Sequence, residues 1–191
     1  QVEATTVFDR DRRRAEGLAK NEPPAPDCLP DAVFDVAQWS NGQSLFTQAP
    51  ALERRLIGEF DAPDPEAVAD LARLYIRYGF GIEAEGLLRE FDAPFPERAA
   101  LLDLARAVEG RPVAPDGPLA LTGACPGAHG LWLAIGGAAP AYHDAAGFAL
   151  VQEAFEALPT DMRALVGARL MTRLLDADRP AEARLIHDTP I

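Results

Sequence analysis

The chain has 191 residues, 48% of them apolar and 25% charged, an ordinary composition for one globular domain or one short array of repeats. Its formal net charge of −12 repels duplex nucleic acid and anionic membranes unless a local basic patch intervenes. No apolar run approaches the roughly 18 residues that a membrane-spanning helix needs.

The first 27 residues read as a flexible or extended segment, separate from a helical domain over 28–191. Val2, Val7 and Phe8 are isolated apolar residues, and Pro23, Pro24 and Pro26 mark a linker. Arg10, Arg12, Arg13 and Arg14 form the one basic candidate. Asp9, Asp11 and Glu16 interrupt or follow them, so the run reads as a solvated charged segment rather than a nucleic-acid site. The chain opens at Gln1 without the apolar core of a signal peptide, so the expectation is a removed leader or an excised piece. Arginine is common while Lys20 is the single lysine, a bias of GC-rich bacterial genomes.

Val33, Phe34, Val36 and Trp39 fall in a short helix or an irregular apolar segment, closed by the turn Ser40-Asn41-Gly42. Over 44–60, Leu45, Phe46, Leu52, Leu56, Ile57 and Phe60 follow helical spacing, with Pro50 as a restart. The clearest unit spans 65–96. Pro65 suits a first helical turn, Asp64 an N-cap, and Val68, Leu71, Ala72, Leu74, Tyr75 and Tyr78 share one helical face. Gly79 and Gly81 stop that helix, and a second follows with Ile82, Ala84, Leu87, Leu88 and Phe91 facing inward. So short a turn makes the pair antiparallel.

Ala100, Leu101, Leu104, Ala105 and Val108 predict a helix over 96–109, followed by a loop rich in Pro and Gly over 111–127. A short helix over 128–136 carries Leu131, Trp132 and Ile135. The next, over 144–158, has Phe148, Leu150, Val151, Ala154, Phe155 and Leu158. Thr160 or Asp161 caps a helix bearing Met162, Leu165, Val166, Leu170, Leu174 and Leu175. Asp178-Arg179-Pro180 then turns the chain into a last helix with Ala183 and Ile186. The chain stops directly after it, where arrays usually carry a polar cap; a truncation or a partner-covered end is the expectation.

Internal repetition is visible. Glu59-Phe60-Asp61-Ala62-Pro63 recurs as Glu90-Phe91-Asp92-Ala93-Pro94, and Asp70-Leu71-Ala72-Arg73 recurs as Asp103-Leu104-Ala105-Arg106. Offsets a little above thirty fit helix-turn-helix arrays. Leu71, Ala72, Tyr75, Gly79, Ala84, Leu88 and Pro96 stand in the order and spacing of the tetratricopeptide repeat, which this unit resembles, with Val68 replacing the usual tryptophan. Leu170, Met171, Leu174, Asp178 and Ala183 resemble it again, with Asp178 where glycine is usual. The fold implied is all-α, antiparallel hairpins stacked as a short solenoid. The function implied is a binding or scaffolding module whose concave groove takes a protein or peptide. Arg73, Arg77 and Tyr78 on the central helix are the candidate groove residues, being favoured interface anchors. The alternative is a structural domain of a larger exported assembly, its groove filled by the N-terminal segment or a neighbouring subunit.

Cys28 and Cys125 each lie in a Pro-rich loop ahead of a segment ending near a tryptophan. That placement favours a disulfide between them over two buried thiols, and with it the periplasm or beyond; unbridged thiols would instead fit the cytosol. No enzyme, metal or cofactor signature emerges. His129, His143 and His187 lack metal-ligand spacing and read as exposed or capping residues. Serine occurs only at Ser40 and Ser44. Cys125 and His129 would suggest a thiolate pair only if Cys125 were free. Asp61 and Asp92, repeated at helix junctions, read as turn-holding carboxylates.

Overall fold

The computed structural model describes residues 28–121, 125, 127–137 and 144–190; the expected N-terminal segment 1–27 and His143 lie outside them. The fold is all-α. Its helices are α1 (Leu45–Glu53), α2 (Pro65–Arg77), α3 (Gly81–Glu90), α4 (Arg98–Val108) and α5 (Pro118–Leu121), followed by α6 (Ala128–Ile135), α7 (Ala145–Glu156), α8 (Thr160–Asp176) and α9 (Pro180–Asp188). Two short 3-10 turns, Asp31–Phe34 and Val36–Trp39, precede α1. Among the described residues there is no β-strand, only an isolated bridge between Ile57 and Pro63.

The central hairpin forms where local chemistry dictates. Asp64 accepts the backbone N–H groups of Glu66 and Ala67 at 3.0 and 3.2 Å, satisfying two donors that the helix itself leaves free. Helix α2 buries more than one stripe: Ala67, Ala69 and Ile76 join Val68, Leu71, Ala72 and Leu74 in the core, whereas Tyr75 and Tyr78 stay half-buried. The reason is that α2 touches α1, α3, α4 and the second 3-10 turn together. On α3 the inward face holds Ala84, Leu87, Leu88 and Glu85, while Ile82 is 65% exposed, contrary to expectation. Gly81 begins α3 rather than ending α2; a Cβ there would lie 2.2 Å from the Ala105 carbonyl oxygen, so the backbones of α3 and α4 meet.

Helix α1 ends at Glu53, short of the predicted 60. Gly58 N–H donates to the Ala62 oxygen and Asp64 N–H to the Leu56 oxygen, folding 56–64 into a closed loop. Its tip carries Phe60 at φ 60°, ψ 30°, and 96% exposed. Phe46 and Ile57 are also exposed, so the helical period over 44–60 misassigned three of its six residues. Leu150 and Leu175 point outward as well, on the solvent side of α7 and α8.

Successive helices share side-chain surface in a regular order. Helices α2, α4, α6 and α8 each meet the next of the four, and each also packs on its own successor in the chain. All four end on a left-handed residue one step past the cap: Gly79 at φ 83°, Gly110 at 68°, Gly137 at 69° and Asp178 at 57°. In three of them the same two bonds close the end. Phe80, Arg111 and Arg179 N–H reach Tyr75, Arg106 and Leu174 oxygens at 2.9, 2.9 and 2.8 Å, and Gly79, Gly110 and Asp178 N–H reach Ile76, Ala107 and Leu175. Asp178 thus adopts the geometry for which glycine is the usual residue.

Helix α6 is the centre of the core, with every residue from His129 to Ile135 buried and Trp132 fully enclosed. A helix apolar all round belongs inside, and α6 is covered by α4, α5, α7, α8 and the first 3-10 turn. The Pro- and Gly-rich loop before it is organised by Asp103 of α4, 1% exposed. Its carboxylate accepts the N–H groups of Ala114 and Leu119 at 3.1 and 3.3 Å, and Gly117 passes so close that a Cβ would collide with it. Burial raises the Asp103 pKa, against the pull of the two backbone donors.

Helix α8 runs across the C-terminal ends of α2, α4 and α6. Its side chains four apart form one ridge. Asp161 pairs with Arg77 at 2.8 Å, Leu165 lies on Gly79, Arg169 pairs with Glu109 at 3.8 Å and lies on Gly110, and Arg173 donates to the Gly110 oxygen at 2.9 Å beside Gly137. That ridge spans about 18 Å, two helix spacings. Arg169 and Arg173 are cations at helix C-termini, where the macrodipole favours them.

His129 is buried, at 3% exposure, not exposed or capping as its sequence position implied. Its Nε2 lies 3.1 Å from the Leu119 oxygen and its ring meets Phe34 edge-on at 5.4 Å. Burial lowers its pKa below the ordinary 6.5, outweighing the Leu119 contact. The folded state therefore takes up a proton less readily than the unfolded chain. The stabilisation is complete above pH about 6.5 and is lost as pH falls from there toward the lowered folded pKa. Urea unfolding at steps from pH 7.5 to 5 is expected to show this decline, and His129→Gln to flatten it. An equal slope in both proteins would assign the effect elsewhere.

Candidate functional site

A disulfide joins Cys28 to Cys125, with Cα atoms 5.8 Å apart. It ties the segment 28–41 to the loop ahead of α6, and that segment forms one wall of a cleft of about 510 Å³. Val33, Phe34 and Val36 bury their side chains and leave Gln38, Trp39, Ser40 and Asn41 facing the cleft. Gln48 and Leu52 of α1, Asp70, Arg73 and Leu74 of α2, and Glu97 before α4 complete the lining. The lining is apolar at Pro30, Ala32, Val33, Trp39, Leu52 and Leu74, and carries an amide, a hydroxyl or a charge elsewhere. Such a cleft offers a flat aromatic surface together with directional hydrogen bonding.

Arg73 sits between two carboxylates. Its guanidinium lies 3.1 Å from Asp70 and 3.8 Å from Glu97, so the charged wall carries one negative charge in excess. A polar network fixes the mouth. Tyr78 donates its hydroxyl to the Gln43 carbonyl and accepts from Ser40 at 2.9 Å; Gln48 donates to Ser40 at 3.0 Å; and Asn41 N–H reaches Gln48 at 3.2 Å. Every rotamer in that set is pinned by a neighbour, which leaves the wall preorganised.

Of the three candidate groove residues, Arg73 lines the cleft and Tyr78 supports its mouth from behind. Arg77 does neither. Its side chain is 12% exposed, lies over the Tyr78 ring at 5.1 Å, and is committed to Asp161 of α8. The Arg77 bond outweighs burial and holds the Asp161 carboxyl below its usual pKa. Trp39, Asn41, Gln48, Asp70 and Glu97 escaped the sequence reading, since four separate chain segments bring them together. The single available signal was Trp39-Ser40-Asn41, a large aromatic beside polar residues in a stretch without helical period.

No protein-family model matches the chain, and no curated protein or solved structure is significantly similar to it.

The described residues contain no group of acidic, histidine or cysteine side chains placed to hold a metal ion. None of their helices is long and apolar enough to cross a membrane. The bridge consumes Cys125, so a thiolate pair with His129 does not form. Asp61 and Asp92 do not hold equivalent turns: Asp61 is left-handed at φ 57°, and Asp92 is exposed with a 3.5 Å contact to Arg98. A second, mostly apolar hollow of about 400 Å³ lies between the 3-10 segment and the end of α7, lined by Phe34, Val36, Ala154 and Leu158 among others.

Proposed function

We propose that the chain is a non-enzymatic helical-repeat module of tetratricopeptide-like type that binds a protein or peptide in the Trp39–Arg73 cleft. The observation that carries this reading is the cleft itself: an aromatic face, preorganised amides and a net acidic wall on a rigid helical frame. The side-chain amides of Gln38 and Asn41 suit the hydrogen-bonding edge of an extended peptide, Gln48 being spent on the mouth network, and the Asp70–Glu97 excess suits a Lys or Arg side chain on it. The order of helix contacts and the four equivalent left-handed helix ends support a reading as stacked hairpins, α2–α3, α4–α5, α6–α7 and α8–α9. In that reading the second helix of the α4 hairpin has shrunk to one turn, and the last hairpin has swung across the edge of the array.

An arrayed library of random peptides tests the binding function. Peptides containing Lys or Arg are expected to be enriched, with Trp39 fluorescence shifting on binding. Glu97→Lys is expected to weaken those peptides at least tenfold, about 1.4 kcal/mol, for loss of a charge-assisted contact. Arg77→Ala, outside the cleft, is expected to leave binding unchanged. Indifference of the library to Glu97→Lys would remove the cleft from the account.

The Cys28–Cys125 bond supports placement in an oxidising compartment, the periplasm or beyond, where such bonds persist. The second reading, a structural domain of an exported assembly, is favoured by one feature: Phe46 and Phe60, 84% and 96% exposed, are surfaces an assembly would cover.

A further inference from the structure

Glu85 of α3 is a buried carboxylate that serves three arginines. Its Oε1 accepts from Arg89 at 2.6 Å and from the Nε of Arg106 at 3.2 Å; its Oε2 accepts from Arg111. The Glu85 side chain is 9% exposed, whereas Arg89, Arg106 and Arg111 are 62%, 25% and 44% exposed. Burial pushes the Glu85 pKa up, and the guanidiniums outweigh it and hold the carboxyl below its usual value. Asp103 also acts on Arg106 electrostatically but spends its oxygens on the Ala114 and Leu119 N–H groups.

The charge count is the unusual part. The chain holds 30 acidic against 18 basic side chains, yet here three cations share one hydrogen-bonding carboxylate. Each guanidinium has five N–H donors in a rigid fork, and each spends one of them on Glu85. Arg89 and Arg111 stay largely in solvent, with N–H donors beyond those given to Glu85. Guanidiniums at such separations repel one another, and a doubly charged oxyanion relieves that repulsion while meeting the fork geometry.

We propose that Arg89, Arg106 and Arg111, held in register by Glu85, form a binding site for a phosphate-type oxyanion. The site lies on α3, α4 and the turn after α4. It shares no residue with the Trp39–Arg73 cleft, so it stands or falls independently of the peptide-binding reading. The oxyanion comes either free in solution or as the phosphomonoester of a larger ligand, and both present the same doubly charged group.

The test uses the full chain with its disulfide intact, titrated at pH 7 with inorganic phosphate at constant ionic strength set by chloride. A saturable rise in the melting midpoint and one-site binding by calorimetry are expected. The double variant Arg89→Met, Arg111→Met changes two exposed side chains and keeps its helical circular dichroism. It is expected to bind phosphate at least about tenfold more weakly. Arg73→Met, in the other cleft, is expected to bind like the parent. A second titration with O-phosphoserine separates the sources: tighter binding than inorganic phosphate identifies a phosphomonoester ligand, equal or weaker binding the free ion. No phosphate response beyond chloride overturns the proposal, as does an undiminished response in the double variant.

Discussion

Reduction of the Cys28–Cys125 bond is expected to lower the unfolding free energy by about 2–5 kcal/mol, and the melting midpoint by roughly 5–15 °C. The two cysteines are 97 residues apart, and the chain-entropy relation gives about 4.7 kcal/mol for a loop of roughly that length. The lower bound applies because the segment 28–41 has a second anchor in buried Val33, Phe34 and Val36. Thermal unfolding with and without a thiol reductant, beside the Cys28→Ala, Cys125→Ala variant, measures the effect. The reduced protein and the variant should coincide. The loss should extend to the cleft, because Gln38, Trp39, Ser40 and Asn41 belong to the tethered wall. Peptide affinity unaffected by reduction would mean that the buried trio alone holds the wall. Two labelled thiols in the unreduced protein would refute the bond itself, and with it the argument for export.

Gly81→Ala is expected to cost about 3 kcal/mol, the upper part of the range for overpacking. The added Cβ would meet the Ala105 carbonyl at 2.2 Å, Val108 Cγ1 at 2.6 Å and Glu109 Cγ at 2.7 Å. Glu109 can rotate away, although its Oε1 also accepts the Gly81 N–H at 2.9 Å. The Ala105 oxygen belongs to the α4 backbone and cannot yield alone, so α3 must lift from α4. Gly86, on the same helix, faces open space and provides the contrast. Gly86→Ala is expected to stabilise by about 0.5–1 kcal/mol, because alanine loses less backbone entropy on entering a helix. Chemical denaturation of the two variants resolves opposite signs about five residues apart. If Gly81→Ala matched the parent, the close approach of α3 and α4 would be wrong.

Features set by a few neighbouring residues were legible in the sequence. Asp64 and Pro65 start α2, Gly79 ends it, and Leu101, Leu104 and Val108 mark the buried face of α4, all through local spacing and capping. The all-helical class followed from the same signals. Exposure was less legible, because it depends on which helix faces which. Ile82 fits the apolar period of α3, but α4 lies on the other side and leaves it in solvent. The repeated pentads show the limit most plainly. Phe60 is left-handed at the tip of a closed loop, whereas Phe91 is half-buried at φ −96° and is followed by Ala93 in the core. Identical residues diverged because the chain after one turns back to α2 and after the other enters the core. Glu85 offered one local signal, its i,i+4 spacing to Arg89; the wider role arises only when α4 and the turn after it supply Arg106 and Arg111. The cleft was hidden similarly: Arg73 was nameable, but its partners arrive from α1, the 3-10 segment and the approach to α4.

The crosswise course of α8 bears on how the molecule comes apart. In an array whose units touch only their neighbours, each unit can open separately, and stability is a sum along a line. Here Asp161, Leu165 and Arg173 fasten the ends of α2 and α4, 63 to 86 residues earlier in the chain. The ends of α2 and α4 cannot open without first releasing α8, which also packs on α6. Amide hydrogen exchange should therefore report one cooperative opening across α2, α4 and α6, in place of a gradient from the ends. Contacts of such long sequence separation also slow folding relative to a helical array of equal size, since distant segments must meet before the last helix can settle.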